Sequence, residues 1–422
     1  MMKKIFIVLF LNVLIMAQVE NTIEKTGTVP MFFYDLLDYK STQPAKTRVD
    51  VYVEVPYRVI QFVKTAKGFT ASYSITISIF DEEAERMITE RSWNETVDSK
   101  DFESTSSLKN YYLSYKTFDL APNKYTFRLE VVDLDSKKNY IRNEVFDIRD
   151  LTAPFAISDL LLITKEIEVQ GKKRMVPNVA RNVATQKDGV NLYYEVYSDT
   201  LRDVLLEYKI IDIKENELFS VKDKKTFDQK INQVNFSIGT PELPMGEYKL
   251  ILNLKDSADN LLTSVSKTFY SRWVGMPSSV VDLDKAIEQM VYIAKESELD
   301  DIEDLPTKEE RQKKYIQFWK AKDPTPNTEE NEVFEEYYRR VEYSNVHFKH
   351  YIEGWKTDMG MIYITLGPPN NVERHPFEFD SKPYEVWDYY DINKRFIFVD
   401  QTGFGDYRLI TPVYGSWWRY RP

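Results

Sequence analysis

The chain has 422 residues, a formal net charge of −11 and no cysteine. The length exceeds one ordinary core and implies roughly two to four domains. The acidic balance disfavours nucleic acid as a partner, and the missing thiols exclude disulfides, thiolate metal sites and a lipid anchor on cysteine. At 43% hydrophobic, 29% charged and 14% aromatic, the composition is that of a folded protein.

The N-terminal stretch MMKKIFIVLFLNVLIMAQVE carries Lys3 and Lys4, then an apolar run broken only by Asn12, then Ala17 before a polar segment. This is the pattern of a secretory signal peptide over residues 1–17, with a core too short to span a bilayer. Ile15 stands where a small residue would favour a cut after Ala17, so the cleavage position is left open. The expectation is export to the periplasm or beyond, with no transmembrane segment in the mature chain.

From residue 48, RVDVYVEVPYRVIQFVKT and FTASYSITISIFD alternate apolar and polar residues, the period of strands. LAPNKYTFRLEVVDLDSKKN (120–139) is matched about 120 residues later by LPMGEYKLILNLKDSADN (243–260): a proline, a turn, a tyrosine, an alternating strand and an acidic turn. VDVYVEVPY (49–57) likewise has its counterpart in VNLYYEVYS (190–198). Two copies of an all-β unit are expected, as immunoglobulin-like sandwiches over 30–150 and 155–272. RDLTAPFAISDLLL (149–162) reads as a short linker followed by the first strand of the second unit, and EVQGKKRMVPNVARN (168–182), without strand alternation, as a hairpin tip or loop. DLDSKKN (133–139) superficially resembles a calcium loop, but it lacks the glycine and distal glutamate and carries two lysines, so it reads as a turn.

Beyond residue 272 the periodicity becomes helical. Val280, Leu283, Ile287, Met290, Val291 and Ala294 fall on one face. A second helix opens with a Thr307 to Glu310 capping box and stops at Pro324; a third follows Asn327 and Glu330, spaced as another capping box. GWKTDMG then reads as a tight loop from Gly354, with short strands predicted at 361–367, 384–390, 395–400 and 406–410. The C-terminal 278–422 is therefore expected to be α+β, giving a multidomain chain of two all-β sandwiches and an α+β domain.

The candidate chemistry gathers around that loop. Trp355, Thr357 and Asp358, with Asn370, Glu373 and His375 after the next strand and Glu332, Tyr337, Arg339 and Arg340 from the preceding helix, could form a polar groove with an aromatic floor. Tyr363 and Trp387 belong to the same candidate surface. The competing structural roles are plain: an Asp capping its own turn, a Trp plugging a core, and Arg339 paired with Glu335 or Glu336. His347 and His350, three apart on a helix, lack the further ligands a metal needs. No GxSxG, HExxH, Walker loop or GxGxxG occurs, and no cofactor is expected.

QFWKAKDPTPNTEENEVFEEYYRRVEYSNVHF, GWKTDMGMIYITLGPPNNVERHP, YEVWDYY and GFGDYRLI together resemble the bacterial GWxTD-domain proteins, whose name corresponds here to Gly354, Trp355, Thr357 and Asp358. The resemblance covers roughly 275–412 and implies a signal peptide and a β-rich N-terminal region, but no known activity. It also implies Arg where Met359 stands and Asp where Asn370 stands. The resulting expectation is an exported, non-enzymatic binding or scaffolding protein of the cell envelope that recognises a protein or glycan partner through its C-terminal domain. The alternative is an envelope glycan hydrolase using Asp358 or Glu373 as acid or base. Nothing in the sequence sets the oligomeric state.

Overall fold

A computed structural model describes residues 31–106, 110–169, 172–184, 186, 189–239, 243–272, 283–326, 331–376 and 382–412. The signal-peptide reading (1–17), Val280 and the Asn327/Glu330 capping box lie outside them.

The alternating N-terminal segments form strands β1 (Phe33–Lys40), β2 (Thr47–Pro56), β3 (Val63–Thr65), β4 (Gly68–Asp81), β5 (Met87–Ser99), β6 (Tyr111–Leu120), β7 (Lys124–Asp133) and β8 (Asn139–Asp147), with one helical turn, α1 (Glu103–Ser106). One sheet is ordered β1-β2-β6; in the other, β4 pairs with β5, β7 and the short β3, and β8 follows β7. Alternate residues Val49, Val51, Val53 and Val55 on β2 face Ile75, Ile77 and Ile79 on β4 in one buried core. Every second position being apolar lets each sheet bury one face.

The same plan recurs in β9 (Phe155–Ile157), β10 (Leu161–Val169), β11 (Lys172–Pro177), β12 (Val190–Ser198), β13 (Arg202–Asp212), β14 (Glu217–Phe227), β15 (Ile231–Ile238), β16 (Gly246–Lys255) and β17 (Leu261–Ser271). β12 lies between β10 and β15, and the facing sheet is β14-β13-β16-β17. β2 therefore corresponds to β12 and β7 to β16, the two pairs matched in sequence. The repeated tyrosine has a specific use. Tyr125 donates its hydroxyl to Ala121 O at 3.2 Å, and Tyr248 donates to Pro244 O at 2.5 Å, each four residues back. This tyrosine corner pins the entry turn of the strand in both sandwiches. The segment 133–139 closes the β7–β8 hairpin as a turn, with Asp133 Oδ1 accepting from the N–H groups of Asp135 and Ser136.

The linker is fastened rather than loose. Leu37 and Tyr39, on the outer face of β1, bury against Leu161, Ile163 and Tyr193 of the second sandwich. Beside this seam, Asp38 Oδ2 accepts the Arg149 N–H at 2.8 Å, Asp159 Oδ2 accepts the Asp38 N–H at 2.8 Å, and the Arg149 guanidinium donates to Asp159 Oδ1 at 2.7 Å. Lys267 and Asp35 add a buried ion pair at 2.5 Å.

The last region contains α2 (Leu283–Glu288), α3 (Glu296–Glu303), α4 (Lys308–Ala321), α5 (Glu332–His347) and α6 (Asp358–Leu366), then β18 (Asn371–His375), β19 (Tyr384–Tyr389), β20 (Lys394–Asp400) and β21 (Tyr407–Leu409) in one antiparallel sheet of that order. No helix among the described residues is long and apolar enough to cross a membrane. Trp319 sits at the centre of the helical core, ringed by Tyr315, Phe334, Tyr337 and Tyr338. Thr307 caps α4 as expected, accepting the Glu310 N–H at 3.2 Å. α5 opens at Asn331, whose Oδ1 accepts the Phe334 N–H at 2.9 Å. Met245 belongs to the helical core and donates its N–H to Gln312, while Arg58 reaches Glu335 at 3.6 Å, so the α+β region rests against both sandwiches.

Three expectations need correction. Residues 172–177, within the segment 168–182 read as a hairpin tip or loop, form strand β11 paired antiparallel with β10. Residues 361–367 are not a strand: α6 runs from Asp358 to Leu366. The alternation of Ile, Tyr and Thr resembled a strand, but this helix is covered on nearly every side, so its sequence lacks the polar stripe that reveals a surface helix. Val291 also leaves the predicted apolar face and is 43% exposed. α2 tightens into a 3₁₀ turn over Gln289–Tyr292, and three residues per turn rotate Val291 outward.

Candidate functional site

The GWxTD segment packs as a joint between α5, α6 and the sheet. Gly354 lies against α5 so closely that a Cβ there would sit 1.8 Å from Ser344 O; one at Gly360 would meet Gly354 O at 2.0 Å. Both positions need glycine for close backbone approach. Thr357 Oγ1 donates to Gly354 O at 2.7 Å and accepts the Gly360 N–H at 2.9 Å, making it the N-cap of α6. Asp358 Oδ2 accepts the Leu409 N–H at 2.8 Å, tying the first turn of α6 to β21. Trp355 is 3% exposed within the helical core, edge-on to Tyr292, with Lys285 and Lys356 over its ring at 5.1 and 5.0 Å.

The other candidates divide by location. Arg339 is held bidentate by Glu336 at 2.7 and 2.8 Å. Arg340 is buried, binds Glu336 at 2.6 Å and donates to Ile364 O at 3.2 Å, where a cation suits the C-terminal end of α6. Glu332 accepts from the Thr325 hydroxyl at 2.7 and 2.8 Å. Tyr337 is buried and donates to Gln289 O. Asn370 Oδ1 accepts the Tyr390 N–H at 2.8 Å. None of these five residues lines the main cleft, whereas Tyr363 and Trp387 do.

That cleft, of about 430 Å³, lies between the end of α5, the start of α6 and one face of the sheet. Val372 and Arg374 of β18 line it, so the pleat carries Glu373 to the opposite face. Tyr343 forms the centre of a stack, with His347 at 3.8 Å on one side and Tyr363 at 4.3 Å on the other. Phe348 packs on Trp387 at 5.4 Å, and Trp387 is 2% exposed. Met359, where the family resemblance implies arginine, also lines the cleft. Glu385 contributes a carboxylate already engaged by Arg374 Nε and Trp387 Nε1, each at 3.1 Å. His347 and His350 point to different partners: the first to Tyr343 O at 3.0 Å, the second to Asp406 at 3.6 Å. Among the described residues no cluster of three or more His, Asp or Glu could hold a metal.

The residue least visible in the sequence is Phe404, which lines the cleft and is 92% exposed. Its loop is built to display it. The buried Asp400 accepts the N–H groups of Thr402, Gly403 and Gly405 at 3.1, 2.9 and 2.8 Å, and the flanking glycines hold φ of 77° and 91°. The signal available beforehand was the Gly-Phe-Gly spacing after an Asp, a turn composition around an aromatic.

Residues 263–411 match the family model of the GWxTD domain, beginning within β17. No curated protein matches the sequence. Among solved structures the chain is similar to a glycosyl hydrolase family 2 member from Bacteroides cellulosilyticus, at 10% identity and TM-score 0.21 over 53% of this chain and 28% of that one. It is also similar to dimeric latent PorU from Porphyromonas gingivalis, at 13% identity and TM-score 0.21 over 57% and 20%. A third is a DUF4785 family protein from Legionella pneumophila, at 7% identity and TM-score 0.19 over 57% and 56%. The match spans only 28% of the first of these chains, and likeness this low carries no argument about activity.

Proposed function

We propose that this chain, a carrier of the GWxTD domain, is an exported, non-enzymatic binding or scaffolding protein of the cell envelope, in which the two fastened sandwiches hold out an α+β domain that recognises a protein or glycan partner in its aromatic cleft. The observation that carries this reading is the cleft itself: aromatic and aliphatic side chains beside Lys349, Arg374 and Glu385, and an exposed phenylalanine on a loop whose backbone is already ordered. Exposed aromatic surface next to a concave apolar site favours ligand contact, and a preordered loop loses little entropy on binding. Asp358 serves as acceptor for a strand N–H and Glu373 lies on the far face of β18, an arrangement that favours binding over hydrolysis.

The test is recovery of envelope protein and glycan by wild type and by Phe404→Ser, with both proteins melting alike. A partner held by the first and lost by the second supports the reading; equal recovery refutes it. Incubation with envelope glycan should release no new reducing ends. Release abolished by Glu385→Gln would replace binding with hydrolysis.

A further inference from the structure

The ligand class follows from which groups in the cleft are still available. Tyr343 has both faces occupied, Tyr363 is stacked against it, and Trp387 is buried, so among these rings Phe404 offers the open face. An aromatic face carries negative potential and attracts the C–H edge of a ring. The carboxylates nearby are engaged: Glu385 by Arg374 and Trp387, and Asp406 by Arg408 at 2.8 Å and the Tyr351 hydroxyl at 3.0 Å. Lys349 and Arg374 both line the cleft, and Arg374 uses only its Nε on Glu385. With Glu385 on the same lining offsetting Arg374, Lys349 leaves the cleft with an excess of positive charge in a chain of net charge −11, complementary to an anion.

We propose that the cleft takes an acidic saccharide, with one sugar ring against Phe404 and its carboxylate between Lys349 and Arg374. This rests on the binding reading above. At β21, one of the sheet's two edge strands, the Leu409 N–H is taken by Asp358 and is lost as a donor for strand addition, so a peptide strand would have to add at β18, the other edge. The polar tips around the cleft are mixed donors and acceptors on side chains, which suits hydroxyl groups.

The experiment is calorimetric titration of the full chain with tetragalacturonate, with maltotetraose of equal length, and with a hexaglutamate peptide. Tetragalacturonate is expected to bind at least about tenfold tighter than maltotetraose, with the advantage lost in about 1 M salt. Lys349→Ala should cut affinity for the acidic sugar severalfold and leave the neutral one unchanged, while Phe404→Ser should weaken both without shifting the melt. Equal, Phe404-dependent affinity for both sugars overturns the acidic class and leaves the binding reading standing. So does Phe404-dependent binding of hexaglutamate alone. Absence of binding to either sugar also overturns the class, and binding that ignores Phe404 for every ligand overturns both proposals.

Discussion

Replacing Trp355 with alanine tests whether the motif's tryptophan supports the fold or meets a ligand. The ring is 3% exposed, and its Nε1 has no hydrogen-bond partner, so truncation removes packing without orphaning a polar group. A buried indole covers on the order of 200 Å², which at about 25 cal/mol per Å² corresponds to about 5 kcal/mol. Substitutions of this kind in cores cost about 3–5 kcal/mol. Loss of the contacts from Lys285 and Lys356, at 5.1 and 5.0 Å, adds about 0.5 kcal/mol each. Differential scanning calorimetry of the full chain should show the transition of the α+β region lowered by roughly 6–25 °C, with the sandwich transitions in place. Trp355→Phe should recover most of the loss. A shift below about 2 °C would refute the core assignment and return Trp355 to the list of ligand-contacting residues.

The remaining predictions concern hydrogen bonds and protons. Asp358→Ala leaves the Leu409 N–H without its acceptor and should cost about 1–3 kcal/mol, with faster amide exchange at Leu409, while Asp358→Asn keeps an acceptor and should cost less. Tyr125→Phe and Tyr248→Phe each remove one corner bond and should destabilise their own sandwich by about 0.5–1.5 kcal/mol in urea unfolding. Burial raises the Glu54 carboxyl to about 7, and burial, partly offset by Arg48, raises Asp50 to about 6. Burial, reinforced by Asp159, also raises Asp38 well above the usual range. The folded state therefore holds protons that the unfolded chain releases, so stability should fall as pH rises from about 4 to about 7 and level off above. Urea midpoints at pH 5 and pH 8 check this, and Glu54→Gln should flatten the slope; a midpoint that does not fall between those values for the wild type would contradict it.

The tandem sandwiches were legible because strand side chains alternate with a period of two, and one buried face imprints that period on the residues themselves, as in Val49 to Val55 and Leu250 to Leu254. The recurring proline, turn and tyrosine carried the repeat for the same local reason: the corner bond closes over four residues. α6 does not show in the sequence because burial on nearly every side erases helical periodicity, and its cap at Thr357 works through Gly354 and Gly360, whose close approaches are spatial. The candidate site was legible only in part. Tyr363 and Trp387 meet at the cleft, but the charged candidates of α5 turn to one another, to the Thr325 hydroxyl or to backbone, since whether an Arg faces a ligand or a neighbouring Glu depends on helix packing. What the sequence determined by itself was composition, period and turn chemistry, all set by neighbours within a few residues. Tertiary structure alone decided the cleft, including the face of the sheet beside which the locally built Phe404 loop stands, and the fastening of Asp38 to Arg149 and Asp159, because each depends on segments far apart in the chain being brought together by packing.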